Sequence, residues 1–327
     1  MNEYVRNHIT TSRYLDGFTD ATGRLMAVRL RGAGKGAPSV PDAVAFRNNF
    51  WGRSRELRRQ MEQHLAQLEG EVGGLLGELS PRWPLRLGSN ERVKLARFLA
   101  LHALRTPGWR RLVPMLGERV INEDPEYLSQ RFNRSVADMS SEANSDDWLA
   151  ETLKAQVPLL GNVLAAMHWS LVEFAEPALI TSDQPLVAIP FDEAGADETV
   201  PPLPAAGLLH TLEYRFAVDP RRLLVLTWID SHEPAAPSRG TPWIAATANR
   251  SARAQADAEW FHHRAIVPLF VAPPFVPAAG DYEPLSPRIL PYYSTYRALV
   301  SQRRRATVSR TRDAIRAELS TPRRAAS

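Results

Sequence analysis

Cysteine is absent from the 327-residue chain. Its absence excludes a disulfide, a thiolate nucleophile and any zinc site that needs a cysteine ligand. Lysine is scarce: Lys35, Lys94 and Lys154 are the only ones, and every other basic side chain is arginine. No apolar run reaches the roughly 18 residues of a membrane-spanning helix. The longest are Val157–Met167, which is short, and Ala265–Gly280, which holds Pro268, Pro273, Pro274 and Pro277 and so cannot be helical throughout. The opening Met1-Asn2-Glu3-Tyr4-Val5-Arg6 lacks the basic-then-apolar order of a secretory leader. These absences leave a cytoplasmic location as the expectation.

What is present reads as an ordinary globular chain. Hydrophobic residues make up 44% and charged residues 23%, which excludes wholesale disorder. The net charge of +4 is unevenly placed. Residues 303–327 carry eight arginines against Asp313 and Glu318, so that stretch alone sums to +6. The body of the chain is therefore not basic, and a globally basic DNA-binding domain is not indicated.

The first half has helical signals. Tyr14, Leu15 and Phe18 fit one face of a short helix, followed by a turn at Asp20–Gly23 and a first strand near Leu25–Leu30. Leu57, Met61, Leu65, Leu68, Val72, Leu75, Leu76 and Leu79 recur at three- and four-residue steps and predict a helix over 55–79. Asn90 is a candidate cap for a helix to Leu104 that Pro107 ends, and a shorter helix follows over 110–122. A long helix opening at Asp146-Asp147, kinked at Pro158, is expected to bury Leu149 through Leu171 and Phe174.

Strand signals dominate after Glu176-Pro177. Ala178–Ile180 and Leu186–Ile189 read as strands about a Thr181–Pro185 turn, and Arg215–Val218 and Leu223–Ile229 as strands about Asp219–Arg222. Asn249 opens a predicted helix to about Phe261, followed by a strand over 265–271 and a last helix over about 294–319. Helices first and strands later predict an α+β chain. The expected architecture is a helix-rich N-terminal half packed on a small, mainly antiparallel sheet, with a C-terminal helix. We expect one domain over 1–300 and an Arg-rich helix end and tail over 301–327.

The order of several short motifs resembles the DUF4238 family of uncharacterised bacterial proteins. The match begins at Asn7-His8-Ile9-Thr10-Thr11 and Tyr14-Leu15-Asp16-Gly17-Phe18, where the family's His-Tyr-Val-Pro has lost its Tyr and Pro. It continues through Gly23-Arg24-Leu25, Leu65–Glu69, Phe98–Pro107, Phe174 with Thr181-Ser182-Asp183-Gln184-Pro185, and Asn249 with Ala258 and Phe261. Coverage is about residues 7–265. The resemblance implies a shared fold and brings no established activity with it.

His8, Glu69, Arg105 and Asp183 are the ionisable residues on these motifs. Together they suggest a metal-assisted hydrolase, nuclease-like and acting on phosphodiesters. Glu69 and Asp183 would hold a divalent metal through hard oxygens. His8 would be a ligand or general base, and Arg105 would clamp a phosphate. Each has a plainer use. Asp183 could hold backbone N–H groups in an Asx turn, Glu69 could pair with an arginine, and Arg105 could cap its own helix. Ser182 lacks the Gly-x-Ser-x-Gly setting of a nucleophile, and Asn249 is simplest as an N-cap. Adjacent His262 and His263 cannot face one metal from a helix. Gly32–Gly36 lacks the spacing of a phosphate loop.

The alternative is a non-catalytic module that binds a protein, or nucleic acid through the Arg-rich tail. A scaffold is the third class, and it predicts a large apolar surface patch. The enzyme class requires the four ionisable side chains to converge on one cavity.

Overall fold

The computed structural model describes residues 6–31, 36–52, 54–86, 89–190, 211–227 and 234–270. The expected C-terminal helix, the Arg-rich tail, most of the Gly32–Gly36 segment and the loop over 191–209 lie outside these residues.

The N-terminal segment is pinned by its own polar side chains. β1 (Arg6–His8) leads into α1 (Ser12–Leu15), where Thr11 Oγ1 accepts the Tyr14 N–H at 3.1 Å. One 3-10 turn follows, and Tyr14, Leu15 and Phe18 are all buried, as their spacing predicts. Asp20 then closes a turn by accepting the Thr22 N–H at 2.8 Å, with Gly23 at φ +70°. Only glycine adopts that conformation without strain. β2 (Leu25–Arg29), β3 (Ala37–Ser39) and β4 (Phe46–Asn48) complete the region.

The helices are α2 (Arg55–Val72), α3 (Asn90–Leu104), α4 (Pro107–Glu123), α5 (Pro125–Phe132), α6 (Val136–Ala143) and α7 (Asp146–Ala166). Each starts on a Ser, Thr or Asp side chain that accepts an N–H of the first turn. Ser89, not Asn90, caps α3. Thr106 caps α4, and Pro107 occupies its first turn, where the missing N–H costs nothing. α2 stops at Val72, short of the expected Leu79, because Gly73 and Gly74 follow; Leu75 and Leu79 are buried from turns instead.

α7 also ends early. His168–Glu173 is a strand, β5, although its Leu171 continues the helical spacing. A continuous apolar run does not reveal its period. Tertiary bonds decide the matter. The buried guanidinium of Arg92 donates to the carbonyls of Ala165 at 2.8 Å, Met167 at 2.5 Å and Leu85 at 2.9 Å. It stacks 4.6 Å from the Trp169 ring. This cation caps the C-terminus of α7 from another helix.

β6 (Ile180–Ser182) and β7 (Leu186–Pro190) do not pair with each other, as a turn between them suggested. They enter different sheets. β8 (Thr211–Asp219) and β9 (Arg222–Thr227) form the expected hairpin. β10 (Ser238–Arg239) precedes α8 (Pro242–Gln255), and β11 (Glu259–His263) follows it. α8 is capped by Thr241, so Asn249 is mid-helix rather than its cap, and the strand predicted over 265–271 is β11 instead.

Among the described residues, one sheet has the order β10-β5-β9-β8-β7, a second β3-β2-β11-β6, and β1-β4 form a small third. All pairings are antiparallel except β10 with β5. The architecture is α+β. α3 is buried nearly all round, which marks a central helix. It crosses α7 at Gly161, where an added Cβ would lie 3.1 Å from the Arg97 Cα. A single cluster of buried side chains runs from α2, α3 and α7 into β5, β8 and β9. No helix among the described residues is long and apolar enough to cross a membrane.

Candidate active site

A cleft of about 230 Å³ opens where α1, the end of α2 and the β8–β9 turn meet. Thr11, Arg13, Tyr14, Glu69, Asp219 and Arg222 supply its polar wall. Local structure places each of them. Capping by Thr11 turns Tyr14 inward, and the Tyr14 hydroxyl sits 2.8 Å from Thr181 Oγ1 and 2.5 Å from the Ala217 carbonyl. Burial pushes that hydroxyl's pKa upward, so it stays protonated. The tight turn between β8 and β9 lets Arg222 pair with Asp219 at 2.6 Å. A Cβ on Gly73 would fall 2.2 Å from the Arg13 guanidinium, so this glycine leaves room for Arg13 beside the end of α2.

Glu69 is the chemically distinctive group. Its Oε1 accepts Arg105 Nη1 at 2.9 Å, and the Arg105 side chain is only 2% exposed. Oε2 has no hydrogen-bond donor among the described residues. Burial raises the Glu69 pKa, and the charge of Arg105 opposes the rise without cancelling it. A carboxylate held by one oxygen, with the other available and its basicity increased, has the properties of a general base.

His102 lies under this cleft in a box of Tyr14, Phe98 and Phe216, with ring centroids 4.5–6.1 Å away. Neither ring nitrogen has a partner, and burial, aided by Arg105, lowers its pKa to about 3. The unfolded chain protonates this imidazole below its ordinary value of 6.5, while the folded chain does not. Its stability contribution is therefore complete above pH 6.5 and is lost as pH falls toward 3. The slope approaches about 1.4 kcal/mol per pH unit for one group. His102→Phe should keep neutral-pH stability and flatten this acid limb in chemical denaturation. An unchanged slope would assign the acid lability elsewhere.

The four ionisable residues singled out from sequence do not form one cluster. Glu69 and Arg105 meet. Asp183 belongs to a second polar centre. Its Oδ1 accepts the Asp257 N–H at 2.8 Å, and its Oδ2 accepts those of Ala258 at 2.8 Å and Glu259 at 3.1 Å. Arg47 Nη2 adds a contact at 3.3 Å. Burial raises the Asp183 pKa to about 6 against the pull of those donors. Asp183 thus holds distant backbone, and the local turn is made by Ser182, whose Oγ accepts the Gln184 N–H at 3.1 Å. Ser182 is fully buried.

His8 places its Nε2 3.3 Å from the Asp42 carbonyl. Its neighbour Asn7 turns to the opposite side of β1, as strand alternation requires, and donates to Glu62 Oε1 at 2.9 Å. Asn249 is fully buried, accepts the Ile180 N–H at 2.9 Å and donates to the carbonyls of Ala178 and Leu269. It ties α8 to β6. Glu69 and Asp183 do not fit a shared divalent cation, since both Asp183 oxygens already accept backbone N–H groups. Among the described residues no group of three His, Asp or Glu is arranged to hold a metal.

Sequence reasoning missed Thr11, Arg13, Asp219 and Arg222. Their signals were local ones, a cap and a turn, which carry no chemistry alone.

The fold and cleft define an α+β protein in which a buried arginine holds a half-buried glutamate in the wall of a small polar cleft. The chain belongs to the DUF4238 family, described as a protein of unknown function, whose profile matches residues 6–265. No curated protein and no solved structure matches it.

Proposed function

We propose that the Glu69 cleft is a hydrolytic site acting on a small phosphodiester, with Glu69 as general base. One observation carries the reading: Glu69 lines the cleft with a raised pKa while buried Arg105 fixes only one of its oxygens. The family-like motifs support the same place. Tyr14, Glu69 and Phe98 come from three of those motifs and line one cleft, and Arg105 and Thr181 stand behind it.

In this reading Oε2 of Glu69 takes a proton from water as that water attacks phosphorus. One P–O ester bond breaks, its oxygen departs as an oxyanion that takes a proton from solvent, and Glu69 returns its own proton to solvent. The Arg105 ion pair sets the direction of the carboxylate and does not touch substrate. Arg13, exposed and with no carboxylate at ion-pair distance among the described residues, meets the phosphate oxygens. No step requires Asp183.

The test is hydrolysis of bis(p-nitrophenyl) phosphate by the full chain. General-base catalysis contributes about 100-fold or more, so Glu69→Gln should lose about that factor when assayed well below its melting temperature, which should itself fall because buried Arg105 loses its counter-charge. The rate should rise with pH through the raised Glu69 pKa. Equal turnover by Glu69→Gln, or none by the native chain, rejects the reading.

A further inference from the structure

A larger, apolar concavity lies elsewhere, on α4–α7, and none of its lining residues takes part in the cleft. It encloses about 760 Å³. Val113, Leu116 and Val120 of α4 form one wall, and Phe132 of α5, Met139 of α6 and Trp148 of α7 form the other. Val120 and Phe132 are each 57% exposed and Trp148 is 39% exposed. α5 has no buried residue at all, and α6 buries only Ala143. Helices normally form by burying an apolar stripe. These two present theirs to an open groove.

We propose that this groove receives an amphipathic α-helix, with a basic polar face, from another protein. Shape supports a helix. The groove residues of α4 run from Trp109 to Ile121 at three- and four-residue steps, a stripe roughly 18 Å long at about 1.5 Å per residue. That length matches about three turns of a helix whose apolar face completes the bundle, which is a common mode of peptide recognition. Charge selects the polar face. Residues 107–156 carry nine carboxylates against six cations, net −3, although the whole chain is +4. Arg134 and Glu142 on the lining pair with each other, so the wall itself offers no lone charge. Like charge opposes a second copy of the same four helices, and their net negative charge favours Lys and Arg on the incoming helix.

The probe is a fluorescein-labelled Leu/Lys peptide of roughly 15 residues, with leucines at i, i+3, i+4 and i+7. Fluorescence anisotropy is read against the full native chain. We expect micromolar binding that weakens with salt. Binding should fall about tenfold or more for the same peptide with Glu replacing Lys, for a sequence-scrambled peptide, and for Val120→Asp or Phe132→Asp. Both substituted positions are exposed, so the fold should tolerate them, and unaltered melting curves check this.

Equal binding by the scrambled peptide, no binding, or indifference to both substitutions overturns the proposal. Displacement of the peptide by dodecanoate, with no discrimination between the Lys and Glu faces, would make the groove a small-molecule pocket instead. A dimer in sedimentation that Val120→Asp dissociates would make it a self-interface. Faster tryptic cleavage after Arg303–Arg305 in Val120→Asp would assign it to the chain's own tail. Each of these three results also rejects the partner helix.

Discussion

Asp183→Ala is expected to destabilise the protein by at least about 3 kcal/mol. The carboxylate is fully buried and accepts the N–H groups of three consecutive residues, Asp257, Ala258 and Glu259. Each buried donor left without an acceptor costs about 1–3 kcal/mol. Arg47 would also lose one of its two carboxylates, keeping Asp257 at 3.2 Å. The damage should localise to the β6–β11 pairing, because Asp183 follows β6 directly and its bonds set the chain entering β11. Urea denaturation gives the magnitude, and amide exchange at Trp260–His262 gives the location. A fold of native stability that has lost only activity would contradict the architectural role.

Arg215→Met is expected to be as severe, at about 3–5 kcal/mol. Glu213 and Arg215 lie two residues apart on the same side of β8, at 2.5 Å, with side chains 0% and 1% exposed. Ser251 of α8 accepts a further Arg215 bond at 2.9 Å. Removing the cation takes from the buried Glu213 carboxylate the counter-charge that stands 2.5 Å away. Removing both charges avoids that penalty, so the double variant Glu213→Leu/Arg215→Met should be more stable than Arg215→Met alone. Chemical denaturation of the set decides it. A double variant no better than the single one would mean that the pair's neighbours, not its charges, hold this layer.

Much of the helical half was legible because amphipathic spacing and caps are local. Leu57, Met61 and Leu65 are buried as their spacing predicted, and the Asp219–Arg222 hairpin turn was marked by its own residues. The strand half was less legible. β5 carries apolar residues that suit either period, and distant partners end α7 before it: the Arg92 bonds and the pairing of β5 with β9. β6 and β7 look like a hairpin locally, but their partners β11 and β8 lie far along the chain.

The site was readable in part for the same reason. Glu69 and Arg105 were both picked out, and they meet across 36 residues. His8 was singled out when its neighbour Asn7 makes the inward contact; a motif does not say which side of a strand a residue faces. Asp183 was expected to hold N–H groups within its own turn, but the ones it holds are 74–76 residues away. No spacing rule reaches that distance.

The proposed chemistry depends on Glu69 being a stronger base than an ordinary glutamate despite its arginine partner. The direct measurement is carboxyl-carbon NMR of Glu69 through a pH titration of the native chain, assigned with Glu69→Gln. A midpoint clearly above the usual value of about 4.3 is the predicted result. A midpoint at or below it would mean that Arg105 merely holds a fixed anion, and the cleft would have no base to offer.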